Sequence, residues 1–96
     1  MNIDFSKGYS KTESLVLTLP SGDTIECAMP SVNDIKKVSE YNTNSVDDTL
    51  TVVAFVLNKN KSGKKFTEKQ IADWELDVIY AICDAWISWI NKMRKN

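Results

Sequence analysis

Ser14-Leu15-Val16-Leu17-Thr18-Leu19-Pro20-Ser21-Gly22-Asp23-Thr24-Ile25-Glu26-Cys27-Ala28-Met29-Pro30-Ser31 is the stretch that decides the fold. Leu15, Leu17 and Leu19 alternate with Val16 and Thr18, and Ile25, Cys27 and Met29 alternate with Thr24, Glu26 and Ala28. Alternation of period two sends successive side chains to opposite faces of an extended chain, so the pattern predicts two half-buried strands. Between them, Pro20 presets the first central position of a type I turn, and Gly22 accepts the left-handed conformation that follows, closing a hairpin with a bulge. Two strands alone are marginal in water, so the leucine face must lie against helices or gain a third strand. Upstream, the pattern from Ile3 to Tyr9 is weak; residues 1–13 are expected to be an extended or flexible lead, and residues 14–96 a single α+β domain.

Downstream the chemistry turns helical. Pro30 stops the second strand, and three helix starts follow at Ser31-Val32-Asn33-Asp34, Ser45-Val46-Asp47-Asp48 and Thr67-Glu68-Lys69-Gln70. Each puts a hydroxyl at the cap and an acid or amide three residues on, able to satisfy backbone donors that the first turn leaves free. Helices are expected over about 32–41, 46–58 and 68–73. In the second, Val46, Leu50, Val53 and Leu57 keep helical spacing, whereas Thr49, Thr51, Val52, Val53 and Val56 are β-branched and also suit a strand. The cap and the length favour helix. Asn58 to Lys65 is a polar loop containing Gly63.

The last segment, Glu75 to Arg94, carries Leu76, Val78, Ile79, Ile82, Trp86, Ile87, Trp89, Ile90 and Met93. At about 100° per residue these sweep an arc of roughly 200°, about twice the stripe a surface helix needs for one core. The opposite face is narrow and polar, with Asp77, Asp84, Ser88, Asn91 and Lys95 nearly aligned. Acids sit early and Lys92, Arg94 and Lys95 late, which suits the helix dipole. One core can hardly take Trp86, Ile87 and Trp89 together, so at least one is expected to be exposed or partnered. The fold expected is α+β: an N-terminal β-hairpin packed on a small bundle of about four helices with a long C-terminal helix.

Composition narrows the function. The chain has 96 residues, 43% of them apolar, and 12 basic against 13 acidic residues for a net charge of −1. No overall field draws it to nucleic acid or an anionic membrane. The first residues lack the apolar core of a signal peptide, and the longest apolar run, Val52 to Leu57, is far short of a membrane span, so a cytoplasmic, soluble protein is expected. With no histidine, Cys27 and Cys83 cannot build a tetrahedral zinc site without other ligands, and a histidine-based nucleophile is excluded. Gly8, Gly22 and Gly63 form no phosphate-binding loop. The acid pairs are explained by helix caps and solvation. No catalytic residue, metal ligand or cofactor site is expected. Lys59, Lys61, Lys64 and Lys65 form a basic tract beside Phe66, but it lacks arginine and interleaved aromatics, and is expected to be a solvated loop.

The order of parts is more specific than any one motif. Leu17-Thr18-Leu19-Pro20-Ser21-Gly22-Asp23-Thr24, then Met29-Pro30-Ser31 and a capped helix with Asp34, then Phe66-Thr67-Glu68-Lys69-Gln70-Ile71 and Trp74-Glu75-Leu76-Asp77 before a final helix, resembles the tail assembly chaperones of long-tailed bacteriophages over residues 14–93. The lysine loop and the tryptophan-rich end have no counterpart in that pattern. The resemblance implies a small protein, mainly helical behind a hairpin, that acts in the cytoplasm of the infected host and is absent from the mature virion. It implies binding of the long, helix-rich tape measure protein, kept soluble until tail tube protein polymerises around it, and in many members a longer form made by translational frameshifting.

An adaptor coating a tape measure in many copies needs only a modest apolar surface with a charged rim, because repetition multiplies weak sites. Trp86, Ile87, Trp89, Ile90 and Met93 are the expected partner-binding residues, in a helix-in-groove mode. Two other readings compete: a small adaptor or regulatory protein that closes a homodimer through the same helix, and a nucleic-acid module using the lysine loop.

Overall fold

The computed structural model describes residues 1–9 and 12–95. The side chains of Arg94 and Lys95, placed by the sequence at the basic end of the last helix, lie outside the described residues, as do Ser10 and Lys11 of the lead and Asn96. The architecture is α+β, a two-stranded antiparallel hairpin followed by four helices, the last of them long.

Strands β1 (Val16–Thr18) and β2 (Thr24–Glu26) pair with Leu17 opposite Ile25. The loop closes as its residues demand: Gly22 N–H donates to Leu19 O at 2.8 Å, Leu19 N–H to Asp23 O at 2.8 Å, and Gly22 sits at φ +90°. A β-branched or bulky residue would be strained there. Both strands are shorter than the alternation predicts, although Cys27 N–H still reaches Leu15 O at 2.9 Å. Support comes from two sides. Leu19, Ile25 and Cys27 enter the core, and the segment after the second helix pairs with the continuation of β2, through Ala28 N–H to Lys59 O (2.6 Å), Lys61 N–H to Glu26 O (2.9 Å) and a Cys27–Asn60 bridge.

Helix α1 (Val32–Ser39) opens on a reciprocal cap: Ser31 N–H donates to Asp34 Oδ2 at 2.9 Å and Asp34 N–H to Ser31 Oγ at 3.2 Å. It ends two residues earlier than expected, where Glu40 and Tyr41 N–H tighten onto Lys37 O and Val38 O. Helix α2 (Val46–Asn58) starts at Ser45, whose hydroxyl accepts from Asp48 N–H at 3.3 Å. Here the reciprocal half differs from expectation. The Asp48 carboxylate accepts from Asn42 N–H at 2.8 Å instead, fastening the link from α1. Helix α3 (Glu68–Ile71) has the expected Thr67–Gln70 box, but stops at Ile71 rather than residue 73, as Trp74 N–H turns back to Ile71 O. Helix α4 (Leu76–Lys95) starts from Glu75, whose carbonyl accepts from Val78 and Ile79 N–H.

The β-branched α2 is a helix because it is the centre of the core. Thr49, Val52, Val53, Val56 and Leu57 are buried, and α2 packs on both α3 and α4. The Thr49 hydroxyl lies 2.8 Å from Ser45 O and 3.0 Å from Thr43 O, so its burial leaves no polar atom unmet. Helix α4 shows the expected polar face, with Asp77, Asp84, Ser88 and Asn91 exposed, and buries Ile79, Ile82, Cys83, Trp86 and Trp89.

Candidate functional site: an apolar groove between the first and last helices

Five residues of α4 were the expected contact set, and the fold separates them. Trp86 is 4% exposed and Trp89 9%, both within the main core. The indole N–H of Trp89 donates to Glu13 O at 2.8 Å, and Lys92 Nζ lies 3.8 Å from Glu13 Oε2. A buried indole whose donor is met is a packing group; neither ring can reach a partner without opening the core. Ile87 is half-buried on the flank of the helix away from Trp89. Ile90 and Met93 remain, half-buried near the helix end.

Around these two the structure gathers residues that the sequence did not single out as contacts. Met29, Pro30, Val32 and Ile35 join Ile90 and Met93 in a groove of about 630 Å³. Met29 is 50% exposed and Val32 71%. The capping box explains the position of Val32: with Ser31 and Asp34 tied to each other's backbone, the first residue of α1 is held at the surface beside Ile35. The sequence signal that could have located this half of the site is the short apolar stripe Val32, Ile35, Val38, of which only Val38 is buried. Ser31, the α1 cap, is the one polar residue of the lining.

The lysine tract is built differently from a free basic loop. Lys64 Nζ pairs with Asp23 at 2.6 Å, Lys61 with Glu26 at 2.8 Å and Lys59 with Asp34 at 3.4 Å. Lys59 and Lys37 also lie 5.5 and 5.0 Å over the Phe55 ring. Hydrogen bonds from Lys64 and Ser21 hold the Asp23 carboxyl below its ordinary value, and those from Lys61 and Ser14 do the same for Glu26. For Asp34 the main cause is the Ser31 backbone N–H. All three folded values are depressed, so the folded state binds fewer protons than the unfolded chain as acid is added. Their contribution is therefore complete at neutral pH and is lost as pH falls below the ordinary values of 3.8 for Asp and 4.5 for Glu. The urea midpoint is expected to be flat from pH 7 to 5 and to drop between pH 4.5 and 3; a midpoint that holds at pH 3 would show that these pairs contribute nothing.

Cys27 and Cys83 are buried free thiols. Desolvation first, and the neighbouring Glu26 and Asp84 carboxylates second, push both pKa values up, which leaves the thiols protonated and poorly nucleophilic at neutral pH. Among the described residues no three His, Cys, Asp or Glu side chains converge on a metal-sized site, and no helix is long and apolar enough to cross a membrane. Comparison with models of known families, with curated proteins and with solved structures gave no match.

Proposed function

We propose that this chain is a tail assembly chaperone of a long-tailed bacteriophage, which binds the tape measure protein in the host cytoplasm and keeps it soluble until the tail tube forms around it. The observation that carries the proposal is the groove: six apolar residues, Met29, Pro30, Val32, Ile35, Ile90 and Met93, open to solvent on a small domain. An apolar channel between two helix ends suits the apolar stripe of a third helix, the repeating feature of a tape measure. Contacts are assigned to Ile90 and Met93 of the original five residues, with Trp86 and Trp89 supporting α4 from behind. A nucleic-acid reading is weakened by the tract itself, since three of its four lysines face carboxylates.

The test is co-expression with the large helix-rich protein expected to be encoded downstream. That protein should become soluble and copurify with the wild-type chain, and both effects should fall at least about tenfold with Ile90→Asp/Met93→Asp, a loss of about 1.4 kcal/mol or more per site. The double variant should retain the far-UV spectrum of the wild type. A client that is equally insoluble with and without this chain, or equally soluble with the double variant, sinks the proposal.

A further inference from the structure

The hairpin has one open edge. Because Cys27 N–H reaches Leu15 O and Leu19 N–H reaches Asp23 O, the antiparallel alternation turns the backbone of Leu15, Leu17 and Leu19 toward β2. The N–H and C=O groups of Val16 and Thr18 then point away from it, and among the described residues no backbone group bonds to them. Strand β2 differs, since the Lys59–Lys61 segment takes the far edge of its continuation. The side chains show the same asymmetry. On the inner face Ile25 and Cys27 are each 2% exposed, whereas Leu15 and Leu17 of the β1 row stay half-buried. The sheet is one strand short on the β1 side. Ile3 to Tyr9 does not supply that strand, because a turn closes there from Gly8 N–H to Phe5 O at 2.9 Å.

The edge itself indicates what pairs with it. Residues 14–19, Ser-Leu-Val-Leu-Thr-Leu, carry no charge and no proline, the devices by which an edge strand repels its own copies. They are also self-complementary. Set antiparallel about a two-fold axis at Leu17, Val16 of each copy stands opposite Thr18 of the other, and the two pairs exchange about four N–H···O bonds. On the inner face Leu17 meets Leu17 of the second copy, on the side where it is left half-open. We propose that β1 pairs with β1 of a second copy, joining two hairpins into a four-stranded antiparallel sheet across a two-fold axis. Such a contact uses the same edge twice and leaves none of β1 free for further growth. The ladder is short, because Pro20 has no N–H to extend it, and a dissociation constant on the order of 100 µM is expected. None of residues 14–19 lines the groove between α1 and α4, so the pairing leaves the groove open and does not depend on the client.

Sedimentation equilibrium of the full chain reads the pairing. The average mass should rise from the 10.9 kDa chain mass at about 10 µM toward twice that value at about 1 mM. Two variants then read the register. Val16 and Thr18 are exposed, beside Glu26 and Thr24 of the same copy, so both variants should keep the wild-type far-UV spectrum. Val16→Lys/Thr18→Lys sets lysine opposite lysine at both pairs and should weaken the dimer at least about tenfold. Val16→Lys/Thr18→Glu differs from it at residue 18 alone, sets lysine opposite glutamate, and should recover the dimer to within about threefold of wild type. Ile90→Asp/Met93→Asp should dimerise as the wild type does, which separates this edge from the groove. A mass that stays at one chain up to about 1 mM, or one that climbs past two, overturns the two-fold pairing. So does a double-lysine variant that dimerises normally, or a lysine–glutamate variant no tighter than the double-lysine one. Client solubilisation is a separate reading: a dimer that behaves as stated beside a client that stays insoluble refutes the proposed function alone.

Discussion

Replacing Trp86 by alanine is expected to cost about 3–5 kcal/mol of folding stability, the range for removing a large buried aromatic without refilling its volume. A domain of this size has about 5–15 kcal/mol in all, so the variant should lose a large share of it, with a fall in Tm of more than about 12 °C. Trp86 is 4% exposed and shares the core with Ile79, Ile82 and Cys83 of its own helix and the buried residues of α2, which have no other group to take its place. Ile90→Ala and Met93→Ala, half-buried at the groove, should cost only about 1 kcal/mol each. Urea titration of the three variants reads the contrast directly. Trp86→Ala with near wild-type stability but impaired client solubilisation would return the ring to the role of exposed anchor, and would contradict its place in the core.

That contrast marks where the sequence stopped being informative. The hairpin and two of the three capping boxes were legible because their information is local: Pro20 and Gly22 fix a turn by their own backbone preferences, and Ser31–Asp34 or Thr67–Gln70 close within one turn. The third box has the same local form and half of it failed. Asp48 found Asn42 N–H, a donor that only the path of the α1–α2 link brings near. The lysine tract was equally opaque, since Asp23, Glu26 and Asp34 meet it only after β2 and α1 have folded against the α2 exit.

The width of the α4 stripe was legible, but its division between core and surface was not. By angle alone Ile90 and Met93 point the same way as Ile79 and Trp86. What distinguishes them is length. With 20 residues against 13 in α2, α4 is about 10 Å longer than its main packing partner, and its apolar stripe continues past the point where that partner can cover it. Met29, Val32 and Ile35 cover it only in part, and this mismatch makes the groove. Trp89 is pulled the other way by a residue 76 positions distant, the Glu13 carbonyl, in a segment whose sequence pattern marked it as a lead rather than as part of the domain.

Asn60→Ala should be the second most damaging substitution, although the site is a loop rather than the core. Asn60 is 8% exposed and uses both ends of its amide: Nδ2 donates to Leu57 O at 2.8 Å and Lys64 O at 2.7 Å, while Oδ1 accepts from Ser62 N–H, the Ser62 hydroxyl and Lys64 N–H at 2.9 to 3.1 Å. Alanine strands four backbone groups that water can reach only in part, and a loss of about 2–4 kcal/mol is expected. Asn60→Asp tests the same geometry from the other side, because it keeps the acceptor but turns a second oxygen toward two carbonyls, and should be no better tolerated. The damage has a direction. Asn60 is the residue that pairs with Cys27, so its loss should free the Ala28 and Lys61 amides that join the loop to β2, and their hydrogen exchange should accelerate before that of α2 or α4. Unchanged protection at Ala28 and Lys61 in Asn60→Ala would mean that the strand pairing holds the loop, and not the amide at its centre.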